Sequence, residues 1–345
     1  PMSRAGIIRC LLAAVLFGAS APAASELAGE MSSLVLAGLL YLGAGIAVVP
    51  SVVRSPPSAV ALRRDWRPAL AAVVAGGAIG PALLVAGLAR TPAATASILL
   101  NLELAATVLL AAVIFREHLG GRVLAGAALV TVAGVVLSWE PGAQIDIGAL
   151  LIAAGCLAWG VDNGVTARID QLSPEQVVLL KGFVAGLANL ALGLAFAEGI
   201  TGITAGRVVA ALLIGMAGYG ASIVFWVKGA RDLGAARGQV IFAAAPFIGA
   251  IIAWSVLGES VTVAQLIAVV IAAAGVGVSL ESAHDHRHAH EAMEHEHEHS
   301  HDDGHHDHTH DEPVEGRHTH VHQHRPGVHS HPHVPDLHHR HRHDD

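Results

Sequence analysis

Residues 76–139 read GGAIGPALLVAGLAR, then TPAATASILLNLELAATVLLAAVIFREHLGG, then RVLAGAALVTVAGVVLSW. Three apolar segments follow one another here with almost no polar connection between them. Each is close to the ~20 residues that an α-helix needs to cross a bilayer. The middle segment carries a carboxylate, Glu103, deep inside its apolar run. An acid at the centre of a membrane span is costly, so it normally faces a bundle interior or a water-filled cavity and marks a pathway. The competing reading is a buried acid that only holds helices together.

Much of this stretch returns 142 residues later. Gly87-Leu88-Ala89-Arg90 comes back as Gly229-Ala230-Arg231-Asp232, and Phe115-Arg116-Glu117 as Leu257-Gly258-Glu259. With one residue of slippage, Ala133-Gly134-Val135 comes back as Ala274-Gly275-Val276. The chain reads as a duplication, and internal repeats are the usual sequence trace of a transporter fold.

Composition agrees with a membrane protein. Apolar residues make up 53% of the chain, charged residues only 14%, and mean hydropathy is +0.55. A soluble domain has nearly twice that charged fraction. The net charge of −8 comes from one end. Up to Glu281 there are 15 Lys and Arg against 14 acids, whereas 282–345 holds 5 Arg against 14 acids. The two cysteines, Cys10 and Cys156, both lie in apolar runs and form no CxxC site.

Ten spans are predicted, near 5–25, 31–53, 68–89, 93–115, 120–139, 147–167, 176–198, 206–228, 233–257 and 261–280. The basic start with Arg4 and Arg9, a short apolar core and Ala21-Pro22-Ala23 also resemble a signal peptide. Retention as the first span is preferred, because cleavage would destroy the match between halves. With the N-terminus inside, the cytoplasmic segments collect Arg4, Arg9, Arg54, Arg63, Arg64, Arg67, Arg116, Arg122, Arg168, Lys228 and Arg231. The opposite loops hold only Arg90 and Arg207. That asymmetry sets both termini in the cytoplasm of a plasma (inner) membrane protein. Five spans per half then force the second half in upside down, and inverted repeats place a substrate site near the midplane between them. The domains are 1–140, 141–281 and 282–345. The fold class is an all-α polytopic membrane protein, two inverted five-helix repeats followed by a disordered tail.

Candidate pathway residues follow from polar or backbone-breaking groups inside spans. In span three, Gly80 and Pro81 close a glycine-rich run. Pro81 has no N–H, so the carbonyl of Gly77 is expected to lose its partner. Such a break lines a cavity or is a plain kink. Span four contributes Asn101, Glu103 and Thr107. Span six contributes Trp159, Asp162 and Asn163, with Trp159, Asp162 and Thr166 on one face by their three-and-four spacing. Spans six and seven form a hairpin that sets Lys181 at the depth of Asp162. An ion pair between them is expected, against the alternative that Lys181 snorkels and Asp162 bonds locally. Span eight adds Tyr219, and span nine Arg237, Gln239 and Pro246; Arg237 alone reads more simply as an interface anchor.

Residues 282–345 are a different material, with 23 of the chain's 24 histidines among Asp and Glu. Such a segment cannot bury a core and is expected to be disordered. His295, His297, His299, His301, His305, His306, His308, His310, His318, His320, His322 and His324 are the candidate ligands. Neutral imidazoles suit Zn, Ni, Co or Cu. No four-ligand spacing is present, so the expectation is an adaptable multi-site binder and not a zinc finger.

At this point the lines GGAIGPALLVAGLARTPAATASILLNLEL (76–104), AWGVDNGVTARI (158–169), Lys181-Gly182 and GARDLGAARGQVIFAAAPFIGA (229–250) resemble an EamA-type member of the drug/metabolite transporter superfamily. The likeness covers about 5–280 and leaves the tail outside. One departure is Glu103-Leu104, where such sequences often have Glu-Pro; the kink in span four is expected to be absent, while Pro246 keeps its counterpart in span nine. The resemblance implies a secondary transporter, often an exporter of metabolites, amino acids or drugs, driven by protons or exchange. No phosphate-binding loop and no catalytic constellation appears, so neither ATP drive nor an enzyme is expected. No cofactor is required. The expected partners are a small-molecule substrate, the lipid bilayer and divalent metal ions at the tail, with no nucleic acid; a homodimer is compatible with the sequence. Divalent-metal export, or metal sensing through the tail, is the alternative function.

Overall fold

A glycine-rich apolar chain in a bilayer packs by close backbone approach, because lipid gives no hydrophobic drive between helices. A computed structural model describes residues 4–113, 121–138, 146–166, 168–169, 171–196, 202–233, 241–280, 285–290, 293–299, 318–324 and 327–332. Its helices are α1 (Arg4–Ser25), α2 (Ser33–Arg54), α3 (Ala59–Leu88), α4 in two halves (Ala93–Leu99 and Leu102–Val113) and α5 (Gly121–Ser138). They continue with α6 (Ile147–Thr166), α7 (Pro174–Phe196), α8 (Ala205–Trp226, helical on to Leu233), α9 (Ala245–Ser255) and α10 (Val263–Leu280). Among the described residues seven helices are long and apolar enough to cross a membrane: α1 to α4 and α6 to α8. The other three, α5, α9 and α10, are apolar over shorter stretches.

The contacts of the two halves mirror one another with the halves exchanged. Helix α1 packs on α8 as α6 packs on α3; α1 packs on α9 as α6 packs on α4. Helices α2 and α7 pack on each other, and so do α5 and α10. The exchange reaches single residues. A Cβ on Gly76 would collide with Asp162, and one on Gly218 with Ser20. A Cβ on Gly87 would meet Ile152 and Gly148, and one on Gly229 would meet Cys10 and Gly6. Each partner set is related to the other by the same 142-residue step. The glycines are therefore contact points between the copies, where any side chain would hold the helices apart.

Two boundaries differ from expectation. Helix α3 begins at Ala59, not near 68, because Ser58 Oγ accepts the Ala61 amide and caps it there. The added turns carry Asp65, only 5% exposed, which accepts the backbone amides of Gln171 (2.8 Å) and Leu172 (3.1 Å). This clamps α3 to the α6–α7 connection. Replacing Asp65 by Ala strands both amides and is expected to cost about 1–3 kcal/mol. Thermal unfolding of the purified protein in detergent measures it, and an unchanged midpoint would mean that water satisfies the amides.

The second difference lies in α4. It breaks at Leu100–Asn101 without any proline, contrary to the expected unkinked span. Asn101 Nδ2 donates to Ile98 O at 2.9 Å, and the backbone tightens to three-residue bonds at Asn101, Glu103 and Leu104. An asparagine offering its own amide to a nearby carbonyl competes with the helix ladder much as a proline interrupts it. The matching interruption lies at Ala243–Ala244, just before Pro246 at the start of α9.

The tail forms its own unit, 283–336. Its described residues are four short strands, β1 (Asp285–His290), β2 (Met293–His299), β3 (His318–His324) and β4 (Gly327–Pro332). β1 pairs antiparallel with β4 and β2 with β3. The reason is in the alternation of histidine with other residues, whose period of two is that of a strand. In β2 and β3 the register sets His295 opposite His322, His297 opposite His320, and His299 opposite His318.

Candidate functional site

The site grows out of the two broken helices. In α3 the stretch Val73–Ile79 is a π-helical turn, with the Gly80 amide bonded to Ala75 O, five residues back. This shifts the expected defect by one residue. In α-helical register the missing N–H of Pro81 would free Gly77 O; in π register it frees Gly76 O. Two side chains take up that carbonyl, Tyr41 Oη at 2.7 Å from α2 and Trp159 Nε1 at 3.1 Å from α6. Asn189 Nδ2 of α7 donates to the neighbouring Ala78 O at 3.0 Å. Gly80 lies against the Trp159 indole. The Gly76 and Ala78 carbonyls at the break thus accept from protein groups, as low-dielectric surroundings require.

Beside it lies the expected ion pair. Lys181 Nζ sits 2.6 Å from Asp162 Oδ2, and the Thr166 hydroxyl donates to Asp162 Oδ1 at 3.0 Å. The side chains are 14% and 10% exposed, so both charges are largely out of water. Lys181 therefore does not snorkel. It opens a second π-helical turn, Lys181–Ala185, in α7.

The break in α4 places Glu103 in the first turn of the second half-helix. Asn163 Nδ2 of α6 donates to Glu103 Oε1 at 2.9 Å and approaches Thr107 Oγ1 at 3.1 Å. Among the described residues Glu103 Oε2 has no donor. These groups line a cavity of about 180 Å³ between the two copies. Asn101, Glu103, Thr107 and Asn163 form its polar side, and Phe17, Phe242 and Pro246 belong to its apolar side. The rings continue away from the cavity. Phe17 meets Phe242 at 5.4 Å between centroids and Tyr219 edge-on at 5.9 Å, and Tyr219 meets Tyr41 at 5.7 Å.

The structure thus brings the predicted residues into two neighbouring groups. Asn101, Glu103, Thr107, Asn163 and Pro246 line the cavity, while Gly80, Pro81, Trp159, Asp162 and Lys181 build the cluster around the α3 break. Tyr219 joins the aromatic row. Arg237 and Gln239 lie outside the described residues, as do His301, His305, His306, His308 and His310. Tyr41, Asn189, Phe17 and Phe242 were not foreseen. Only Phe17 has a signal in the sequence, since it stands 142 residues before Trp159.

The bundle is tied together at the end where α4 begins. Glu259, in the α9–α10 connection, accepts the amides of Ala93 (2.6 Å) and Ala94 (2.8 Å) with its two oxygens. Gln265 Nε2 donates to Thr95 Oγ1 at 2.9 Å, and Arg207 pairs with Glu30. Among the described residues no group of three or more His, Cys, Asp or Glu is arranged to hold a metal ion.

Residues 4–139 and 146–280 each match the model of the EamA-like transporter family. An uncharacterized transporter of Methanothermobacter thermautotrophicus is 24% identical over 286 residues, spanning 75% of this chain and 81% of its own length. A protein of known crystal structure is similar in fold, with a TM-score of 0.58 at 20% identity; the match covers 80% of this chain and 97% of that one.

Proposed function

The chain belongs to the EamA-like transporter family, and from that premise we propose that it is a secondary transporter exporting a small polar metabolite through the Glu103 cavity. The observation that carries this reading is the broken helix α4, which delivers a carboxylate into a cavity lined by both copies. Discontinuous helices near the repeat interface are how secondary transporters build their sites. Ten crossings in two inverted halves is the architecture we favour. Its support is the exchange of contacts between the halves together with five helices in each among the described residues, an odd number that turns the second copy over. The excess of arginines in one set of loops supports cytoplasmic termini in a plasma membrane. The clamped end, with Glu259 on the α4 amides, then faces outward, and drive comes from protons or exchange.

A growth screen of an overexpressing strain tests the reading. Tolerance to at least one toxic metabolite or analogue, matched by saturable flux in proteoliposomes, is the expected result. Flux indistinguishable from empty liposomes for every compound that changes growth would sink it.

The tail supports a second role, binding of divalent transition metals such as Zn, Ni, Co or Cu. The specific observation is the β2–β3 register, which sets three pairs of histidines opposite each other at alternate positions. A lone two-stranded ladder is marginal in water, so metal would couple to its folding. Metal as the transported cargo ranks behind, because among the described residues the cavity offers one carboxylate and no imidazole or thiolate. Deleting 282–345 is expected to leave metabolite flux unchanged. Tolerance to Ni, Co and Zn in cells with the full chain, the tail-less chain and Glu103→Gln separates the roles. A sensor or buffer loses its effect with the tail alone, a metal exporter loses it with Glu103→Gln as well, and three strains equal to empty vector remove the metal role in cells.

A further inference from the structure

We infer that the first turns of α3 are a docking surface for anionic phospholipid headgroups, with Arg63, Arg64 and Arg67 taking the phosphate and Trp66 seating the surface at the membrane interface. The inference goes beyond transport and does not depend on what the cavity binds. Its first ground is depth. Helix α3 runs over 30 residues, Ala59–Leu88, and is therefore about 45 Å long. The hydrocarbon core of a bilayer is only about 30 Å thick. Residues 68–88 carry no charge and suffice to fill it, which leaves 59–67 at headgroup depth. The second ground is how that segment is held. Ala61, Asp65 and Ala69 follow one another in steps of four and are buried, so they mark the face of α3 that is turned to the protein. Asp65 is tied there to the Gln171 and Leu172 amides. Arg63, Arg64, Trp66 and Arg67 lie off that face and are exposed. The Arg67 guanidinium sits 5.4 Å from the centroid of the Trp66 ring, a contact that steadies the side chain without neutralising its charge. Between Glu30 and Glu103 the sequence holds no acid except Asp65.

The third ground is the second copy. One repeat length on, Arg63, Arg64, Trp66 and Arg67 become Ala205, Gly206, Val208 and Val209. Helix α8 begins only at Ala205, the counterpart of Arg63, so α3 is longer by one turn at this end. The same helix is thus built once without the basic turn, and these side chains serve something other than helix packing. Their chemistry names the partner. Guanidinium forks match phosphate oxygens in pairs, and Arg63 and Arg67 share a face four residues apart. A Trp ring with an apolar body and one N–H settles at headgroup level. A zwitterionic headgroup brings its own cation, which offsets the attraction, whereas a headgroup of net negative charge does not.

The test is equilibrium binding of radiolabelled phosphatidylglycerol and phosphatidylcholine, with identical acyl chains, to the purified full chain in neutral detergent. Tighter binding of phosphatidylglycerol, weakening as salt rises, is the expected result. One basic residue near an anionic surface contributes about 5-fold in affinity, so Arg63→Gln with Arg67→Gln should weaken phosphatidylglycerol binding roughly 10- to 30-fold. Phosphatidylcholine binding and the lipid-free unfolding midpoint should not change, because both positions are exposed. Arg4→Gln with Arg90→Gln removes two exposed arginines elsewhere and should leave the preference in place. Equal affinity for the two lipids overturns the inference and leaves the arginines as topology signals alone. Equal losses in the two double variants overturn it as well, since the attraction would then belong to net charge and not to this surface. Displacement of phosphatidylglycerol by soluble glycerol phosphate at equal concentration would make this a site for free phosphate compounds, and also overturns it.

Discussion

Glu103→Gln is expected to abolish substrate-driven flux in proteoliposomes while leaving a folded, monodisperse protein. The two parts of that expectation have different causes. Gln keeps an oxygen at the Oε1 position, so Asn163 Nδ2 can still donate and the α4–α6 contact survives. What disappears is the charge, the sole one lining the cavity among the described residues. A hydrogen bond to a charged group contributes roughly 1.5–3 kcal/mol, which corresponds to about 10- to 100-fold in substrate affinity. If protons drive transport, the coupling group goes with it, because intramembrane acids serve as relays. A Gln variant that transports at the native rate with the native pH dependence would make Glu103 a structural acid, and the cavity would need another explanation.

The second large effect belongs to Asp162 and Lys181. Removing one partner of a buried pair leaves the other charge without compensation, which costs about 3–5 kcal/mol. Asp162→Asn and Lys181→Met should each lower the unfolding midpoint sharply and reduce transport. The double variant should be milder than the sum, since no stranded charge remains. Thr166 stays able to bond Asn at position 162, so the loss tracks the charge and not the hydroxyl contact. Additive losses in the cycle would mean that the two side chains act independently despite their 2.6 Å separation.

The sequence made the duplication legible because Gly87, Glu117 and Gly134 return at nearly constant spacing, and close-packed helices depend on such small residues. The Asp162–Lys181 pair was legible from hairpin symmetry alone. The break in α4 is not legible, because no proline marks it. Asn101 produces the same interruption by bonding Ile98 O, a competition that composition does not reveal. The start of α3 was hidden by Arg63, Arg64 and Arg67, which read as a loop until Asp65 is seen buried against Gln171 and Leu172. Tyr41 stands alone in an apolar run, and its role depends on a π register that no local pattern announces. For the same reason Gly77 was expected to carry the freed carbonyl that Gly76 carries.

The π-helical turns bear on how the protein came to be. Val73–Ile79 in α3 has its counterpart in Met216–Ala221 of α8, one repeat length on. Pro81 corresponds to Ile223, so the second turn persists without the proline, its Gly218 carbonyl taken up by the Ser222 hydroxyl. A π turn amounts to one extra residue in an α-helix. The simplest history is a single insertion in an ancestor half this size, made before the gene doubled. The two descendants then diverged: in one, Pro81 frees the Gly76 carbonyl and Tyr41 and Trp159 from neighbouring helices take it up, while in the other Ile223 keeps its N–H and the equivalent Gly218 carbonyl also accepts from a serine of its own helix.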